Sequence, residues 1–207
     1  MFAPAVVGQT IVGPGEVRPV TVSTAGNFEL NGGTLAPTNV TLSGTIDLKS
    51  SSSIIRPRNP IVPDPRGNSF ETSKGPTNLN GPIVGGGDLV LGNQSRDQLL
   101  VKGNNTYAGH TYITAGQVIA TTPTAFGSPA GGTTIQGADV RIDAATDEQF
   151  RIEGGTLRFN AGDFVPNIPI TIAGGTVNLP NRDLYLLPIV VDGAGGTIQF
   201  PYNESAS

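Results

Sequence analysis

His110 is the only imidazole in the chain, and cysteine is absent. Nucleophilic catalysis of the Ser-His-Asp kind would have to run through His110, and no Gly-x-Ser-x-Gly elbow accompanies it. His110 sits between Gly109 and Thr111 in an alternating stretch, which predicts an outward, solvent-facing side chain opposite Thr111 and Ile113. His110 is expected to be a solvent-facing coil residue rather than a catalytic base. The carboxylates Asp139, Asp143, Asp147, Glu148 and Glu153 cluster in sequence, and carboxylate pairs cleave glycosidic bonds only at a defined separation across a sugar. Aromatic residues are 6% of the chain and tryptophan is absent, which leaves little to stack a sugar. These five are expected to be solvated loop carboxylates. Gly85-Gly86-Gly87-Asp88 has one aspartate where a calcium-binding glycine-rich repeat needs tandem ligands. Gly13-Pro14-Gly15 lacks the lysine and helix of a phosphate loop. The expectation is a non-enzyme with no catalytic residue, no metal site and no cofactor.

The elements that would carry any site must be β. The 207 residues include 29 glycines and 17 prolines, which excludes a helical bundle because both residues break helices. Only 14% are charged and 37% are hydrophobic, spread along the whole chain, so a core can form. A net charge of −4 and a pI near 4.9 argue against nucleic acid as a partner, since counterion replacement needs a basic footprint. No apolar run long enough to span a membrane is present. Met1 to Gly8 carries no cationic n-region and no sustained apolar stretch, so a Sec-type signal is not expected.

A phrase recurs along this chain. Gly-Gly-Thr occurs at Thr34, Thr133, Thr156, Thr176 and Thr197, usually followed by an aliphatic residue, and the last four threonines are spaced by 23, 20 and 21 residues. A period of this size on a β-prone sequence marks a solenoid, each period being one coil of short strands joined at glycine corners. In Asn39–Leu48, Val40, Leu42, Ile46 and Leu48 fall on one face, and Thr41, Thr45 and Asp47 on the other. Gln136–Ile142, Arg151–Phe159 and Ile168–Ile172 alternate similarly. The reading is one all-β parallel solenoid over residues 20–200, with an N-terminal arm at 1–19 and a C-terminal tail at 201–207. Prolines and serines between Ser50 and Pro82 cannot form a central strand, and this stretch is expected to be a loop excursion. At about 4.8 Å per coil, the rod would be on the order of 40–50 Å long.

Leu99–Val118 is the most specific segment. Gly103, Asn105, Tyr107, Gly109, Thr111, Ile113 and Gly116, with Val118 in place of leucine, resemble the passenger-associated transport repeat of bacterial autotransporters, roughly L-x-G-x-N-x-Y-x-G-x-T-x-I-x-x-G-x-L. Gly86–Leu91 looks like its leading strand and Ala125-Phe126-Gly127 like its tail, so close similarity covers Gly85 to Gly127. The resemblance implies a right-handed parallel β-helix, a fold also used by phage fibres, tailspikes and decoration proteins. It brings no activity, because the motif consists of turn glycines and stacked side chains. Asn105 is expected on a turn-side ladder, and Thr111 and Ile113 inside.

The C-terminal half is apolar on both faces of its strands. In Leu184–Val191 and Phe164–Ile170, alternation cannot hide every large residue in one narrow coil, and outward apolar surface marks association. Tyr185, Leu187, Val190, Phe164 and Ile168 are the candidate subunit interface. Arg56, Arg58 and Arg66 are the charged contacts of a candidate partner-gripping arm. The functional expectation is a non-enzymatic structural virion protein at the particle surface, either a capsid decoration (cement) protein or a fibre component. Its expected partners are two further copies in a homotrimer, other virion proteins such as the major capsid protein, and surface glycans. Nucleic-acid binding and membrane insertion are not expected. An alternative is a passenger fragment of an autotransporter or surface adhesin, at the bacterial surface or secreted. A polysaccharide-degrading β-helix enzyme is a third reading.

Overall fold

A computed structural model describes residues 9–50, 53–57, 61–63, 69–71, 75–92, 98–160, 169–179, 188–193 and 195–200. Its described residues are strands, turns and irregular segments, wound as a right-handed parallel β-solenoid. Each N-terminal coil visits three faces in turn. Phe28–Leu30, Thr34–Pro37 and Thr41–Leu42 form one such circuit, and Ile83–Gly85, Leu89–Gly92 and Gln98–Val101 form another. Face 1 has four strands, from Thr10–Val12 to Ile83–Gly85. Face 2 has nine, from Val17–Val20 to Ile189–Val191, and face 3 has eight, from Thr41–Leu42 to Thr197–Gln199. Nine strands at about 4.8 Å give a stack about 40 Å long. After Ile83–Gly85, an irregular segment continues face 1: Thr106 N–H donates to Ile83 O at 2.9 Å, and Ala108 N–H to Gly85 O at 3.0 Å.

The core is a set of aliphatic columns running through the coils. On face 2 the inward column reads Leu35, Ile55, Leu91, Ile113, Ile135, Ile152 and Ile172, each in register with the next and each fully buried. Face 3 contributes Leu99, Val118, Val140, Leu157 and Val177 in the same way. The alternation read in Asn39–Leu48 holds: Val40, Leu42, Ile46 and Leu48 are buried, although a corner at Ser43–Thr45 splits them between faces 3 and 1. Each aliphatic side chain lies between equivalents above and below, so burial grows by repetition of one small coil.

Glycine allows the corners to close for two different reasons. Gly155 and Gly175 take φ of +76° and +67°, the left-handed region that a Cβ disfavours. Gly81 and Gly103 have no such φ; a Cβ on Gly81 would collide with the carbonyl of Gly44, and one on Gly103 with the carbonyl of Gly81. Here glycine is required because successive coils touch backbone to backbone.

Three expected boundaries shift. Thr10–Val12 pairs with Phe28–Leu30, and Val17–Val20 with Thr34–Pro37, so residues 10–19 belong to the stack rather than to an arm. Pro19 is tolerated because its strand is the edge of face 2. The excursion is shorter than 50–82: Ser53–Ile55 and Thr77–Leu79 are ladder strands on faces 2 and 3. Between them, Ile61–Pro63 pairs antiparallel with Ser69–Glu71 in a two-stranded sheet of its own. The Gly-Gly-Thr phrases also divide. Thr156, Thr176 and Thr197 stack on face 3 as expected, whereas Thr34 and Thr133 lie on face 2.

Candidate functional site

Face 3 presents two rows of outward side chains. One runs Gln98, Gln117, Asp139, Thr156, Thr176 and Thr197; beside it run Leu100, Ile119, Arg141, Arg158, Asn178 and Gln199. Between the rows lies an open groove of about 360 Å³ lined by Gln98, Gln117, Ile119, Asp139, Arg141 and Arg158. Ile119, 4% exposed, supplies its apolar element. Arg158 Nε donates to Asp139 Oδ1 at 2.9 Å across adjacent coils. Arg141 Nε and Nη2 both donate to Asp143, each at 2.8 Å, a two-pronged pair along one strand. Parallel pairing produces this grouping: residues spread over sixty positions of sequence come within a few strand spacings of one another. No sequence motif joins them.

The expected loop carboxylates separate in the structure. Asp139 and Asp143 hold arginines, as above, and Asp139 is on a strand rather than a loop. Glu153 accepts from Arg151 Nε at 3.1 Å, and the same arginine reaches Asp192 Oδ2 at 2.9 Å. Asp147 is exposed. Glu148 overturns the expectation of solvation: it is 2% exposed and points into the interior. Its Oε1 accepts from the Thr133 hydroxyl at 2.8 Å, and its backbone N–H donates to Thr146 Oγ1 at 3.2 Å. Burial pushes the Glu148 carboxyl up to about 7, against the opposing pull of the Thr133 hydrogen bond.

Glu148 belongs to a buried polar seam facing the irregular side of the coil. Ser53, Thr111 and Thr133 share one inward column of face 2 with Leu89 and Phe150. Each finds an acceptor across the lumen: Ser53 in Leu30 O, Thr111 in Phe126 O, Thr133 in Glu148. The Tyr107 hydroxyl, fully buried, is hydrogen-bonded to Thr111 Oγ1, and burial raises its pKa. Asn105 is likewise inside, at 1% exposure. It accepts from Ile83 N–H at 2.8 Å and donates to Ala125 O at 2.5 Å, tying three coils together. Buried polar atoms need partners, and these side chains find them in one another and in backbone groups of neighbouring segments.

His110 lies on the outer side, but half-buried rather than free in solvent. Nδ1 is 2.7 Å from Gly131 O, and Nε2 is 2.8 Å from Thr134 Oγ1. A carbonyl only accepts, so Nδ1 carries the hydrogen and Thr134 donates to Nε2 in the neutral ring. The ring centroid is 4.4 Å from that of Tyr112. Both ring nitrogens are engaged in joining coils. Thr111 and Ile113 are fully buried, as alternation predicts.

Val190 is outward on its strand, in register with Thr171, and 50% exposed. Ile189 and Val191 occupy the inward columns below Ile170 and Ile172. Tyr185, Leu187, Phe164 and Ile168 lie outside the described residues, as do Arg58 and Arg66. Arg56 is half-buried beside Gly92, and its backbone N–H donates to Leu35 O at 2.9 Å. Comparison with known proteins finds no matching family model, no matching curated protein and no matching solved structure.

Proposed function

We propose that this solenoid is a non-enzymatic structural protein of a virion surface, a decoration or fibre component that works as a trimer. The observation supporting this reading is the continuous stack of buried columns, joined coil to coil by Asn105, Arg151 and Arg158. A rod built this way resists bending and holds its side faces at fixed spacing, which suits a scaffold exposed on a particle. Val190 supplies an outward apolar contact for a subunit interface.

Light scattering tests the assembly. Val190→Asp places a charge on the outer side, where desolvation at an interface without a partner costs several kcal/mol. The expected result is a trimeric parent and a variant that keeps its strand content by circular dichroism but falls to monomer mass. Ile170→Asp, in the fully buried column, should instead prevent folding. A parent that stays monomeric at high concentration, and on any particle it decorates, overturns the trimer. The second reading, an adhesin passenger, is favoured by the Gly103–Val118 motif. It predicts adherence of the protein to cells and no co-sedimentation with capsids.

A further inference from the structure

The groove on face 3 has a chemistry that a purely structural rod does not require. We propose that it binds a carboxylate-bearing oligosaccharide, with the carboxylate on Arg141 and Arg158 and sugar hydroxyls on Gln98, Gln117 and Thr156.

Arg141 and Arg158 are direct partners on neighbouring parallel strands, so their backbones stand about 4.8 Å apart on the same outward row. Two guanidinium groups that close would repel; each is instead held by its own aspartate. A guanidinium has five N–H donors. Asp143 engages Nε and Nη2 of Arg141, and Asp139 engages Nε of Arg158, so both groups keep further donors outside these ion pairs. The aspartates thus fix the two planes without consuming them, and planar donors suit a carboxylate.

Row chemistry narrows the ligand. Glutamine amides and threonine hydroxyls both donate and accept, as sugar hydroxyls do. Gln98, Gln117, Asp139 and Thr156 occur at one-coil intervals in a straight line, so an extended chain laid along the solenoid axis meets a repeating partner. A bare polyanion would use only the donors. A carboxylated glycan uses both kinds of group. The inference stands apart from the virion reading: loss of glycan binding would leave the oligomeric mass unchanged.

Calorimetry with the full chain decides it, using a galacturonate tetramer, a neutral galactose tetramer, a sulfated heparin tetrasaccharide and a polyglutamate peptide. The galacturonate should bind saturably, and tighter than the other three. Arg158→Gln and Arg141→Gln should each weaken it by about tenfold or more, equivalent to about 1.4 kcal/mol. Gln98→Ala, at an exposed position, should weaken it several-fold without touching either ion pair, which guards against a folding defect in the arginine variants. Arg151→Gln, on face 2, should have no effect. Absence of saturable galacturonate binding at millimolar concentration would overturn the proposal. So would equal or tighter binding of the neutral, sulfated or peptide probe, or binding unchanged in the groove variants.

Discussion

Among the described glutamates, Glu148 has the environment furthest from that of an ordinary one. Its ordinary value of 4.5 rises to about 7 in the folded chain because burial disfavours the charged form. The unfolded chain gives up this proton at lower pH than the folded one, so unfolding releases a proton between about 4.5 and 7. The contribution of Glu148 to stability is therefore fullest below 4.5, falls as pH rises through that window, and is flat above it. At 1.36 kcal/mol per unit the fall amounts to about 3 kcal/mol. Glu148→Gln keeps the carbonyl-type acceptor for Thr133 and removes the titration. Urea midpoints measured at pH 4.5, 6 and 8 should decline in the parent and stay level in the variant. Parallel profiles in the two proteins would refute the burial argument.

At the scale of the corner, glycines of identical sequence type are expected to differ sharply. Gly81 approaches the Gly44 carbonyl so closely that a methyl group has no room, whereas Gly86 has nothing within 4 Å and no left-handed φ. Gly81→Ala must push two coils apart, and should destabilise by about 1–3 kcal/mol or more. Gly86→Ala should be neutral or stabilising by up to about 1 kcal/mol, through reduced freedom of the unfolded chain. Thermal melts of the two variants against the parent measure this contrast, and similar melting temperatures for both would show that the corner can yield. Glycine's role as a left-handed turn residue was legible from the Gly-Gly-Thr phrases. Its role as a contact point was not, because the colliding atom belongs to another coil.

Across the whole molecule, stability is set by contacts between neighbouring coils, so a central coil has two neighbours and a terminal coil one. Thr111–Ala115 and Gln117–Ala120 lie between coils on both sides, while Ile189–Val191 is the last strand of face 2, with Val191 60% exposed. Amide hydrogen exchange should be slowest across 99–142 and fastest at the two ends of the stack, since local opening there breaks fewer contacts. Uniform protection from end to end would indicate a single cooperative unit or ends covered by another subunit. The latter is separable, because it would disappear in a dissociated Val190→Asp variant.

Sequence alone determined the class of fold and the direction of side chains within each strand. Alternation is a property of consecutive residues, so the inward placement of Val40, Leu42, Ile46, Leu48, Thr111 and Ile113 needed no knowledge of the rest of the chain. Composition likewise ruled out helices through glycine and proline. Only tertiary structure decided which residues are neighbours between coils. Successive partners on face 2, from Leu89 through Thr111, Thr133, Phe150 and Ile170 to Ile189, are 22, 22, 17, 20 and 19 residues apart. That unequal spacing, absorbed in the corners and on face 1, sends Thr133 to face 2 and Thr156 to face 3 despite their common phrase. It also turns Glu148 and Asn105 inward and lines up Gln98, Gln117, Asp139, Arg141 and Arg158 along one groove. The physical reason is that a solenoid pairs each residue with one a full coil away, and coil length depends on how its loops close rather than on any local pattern.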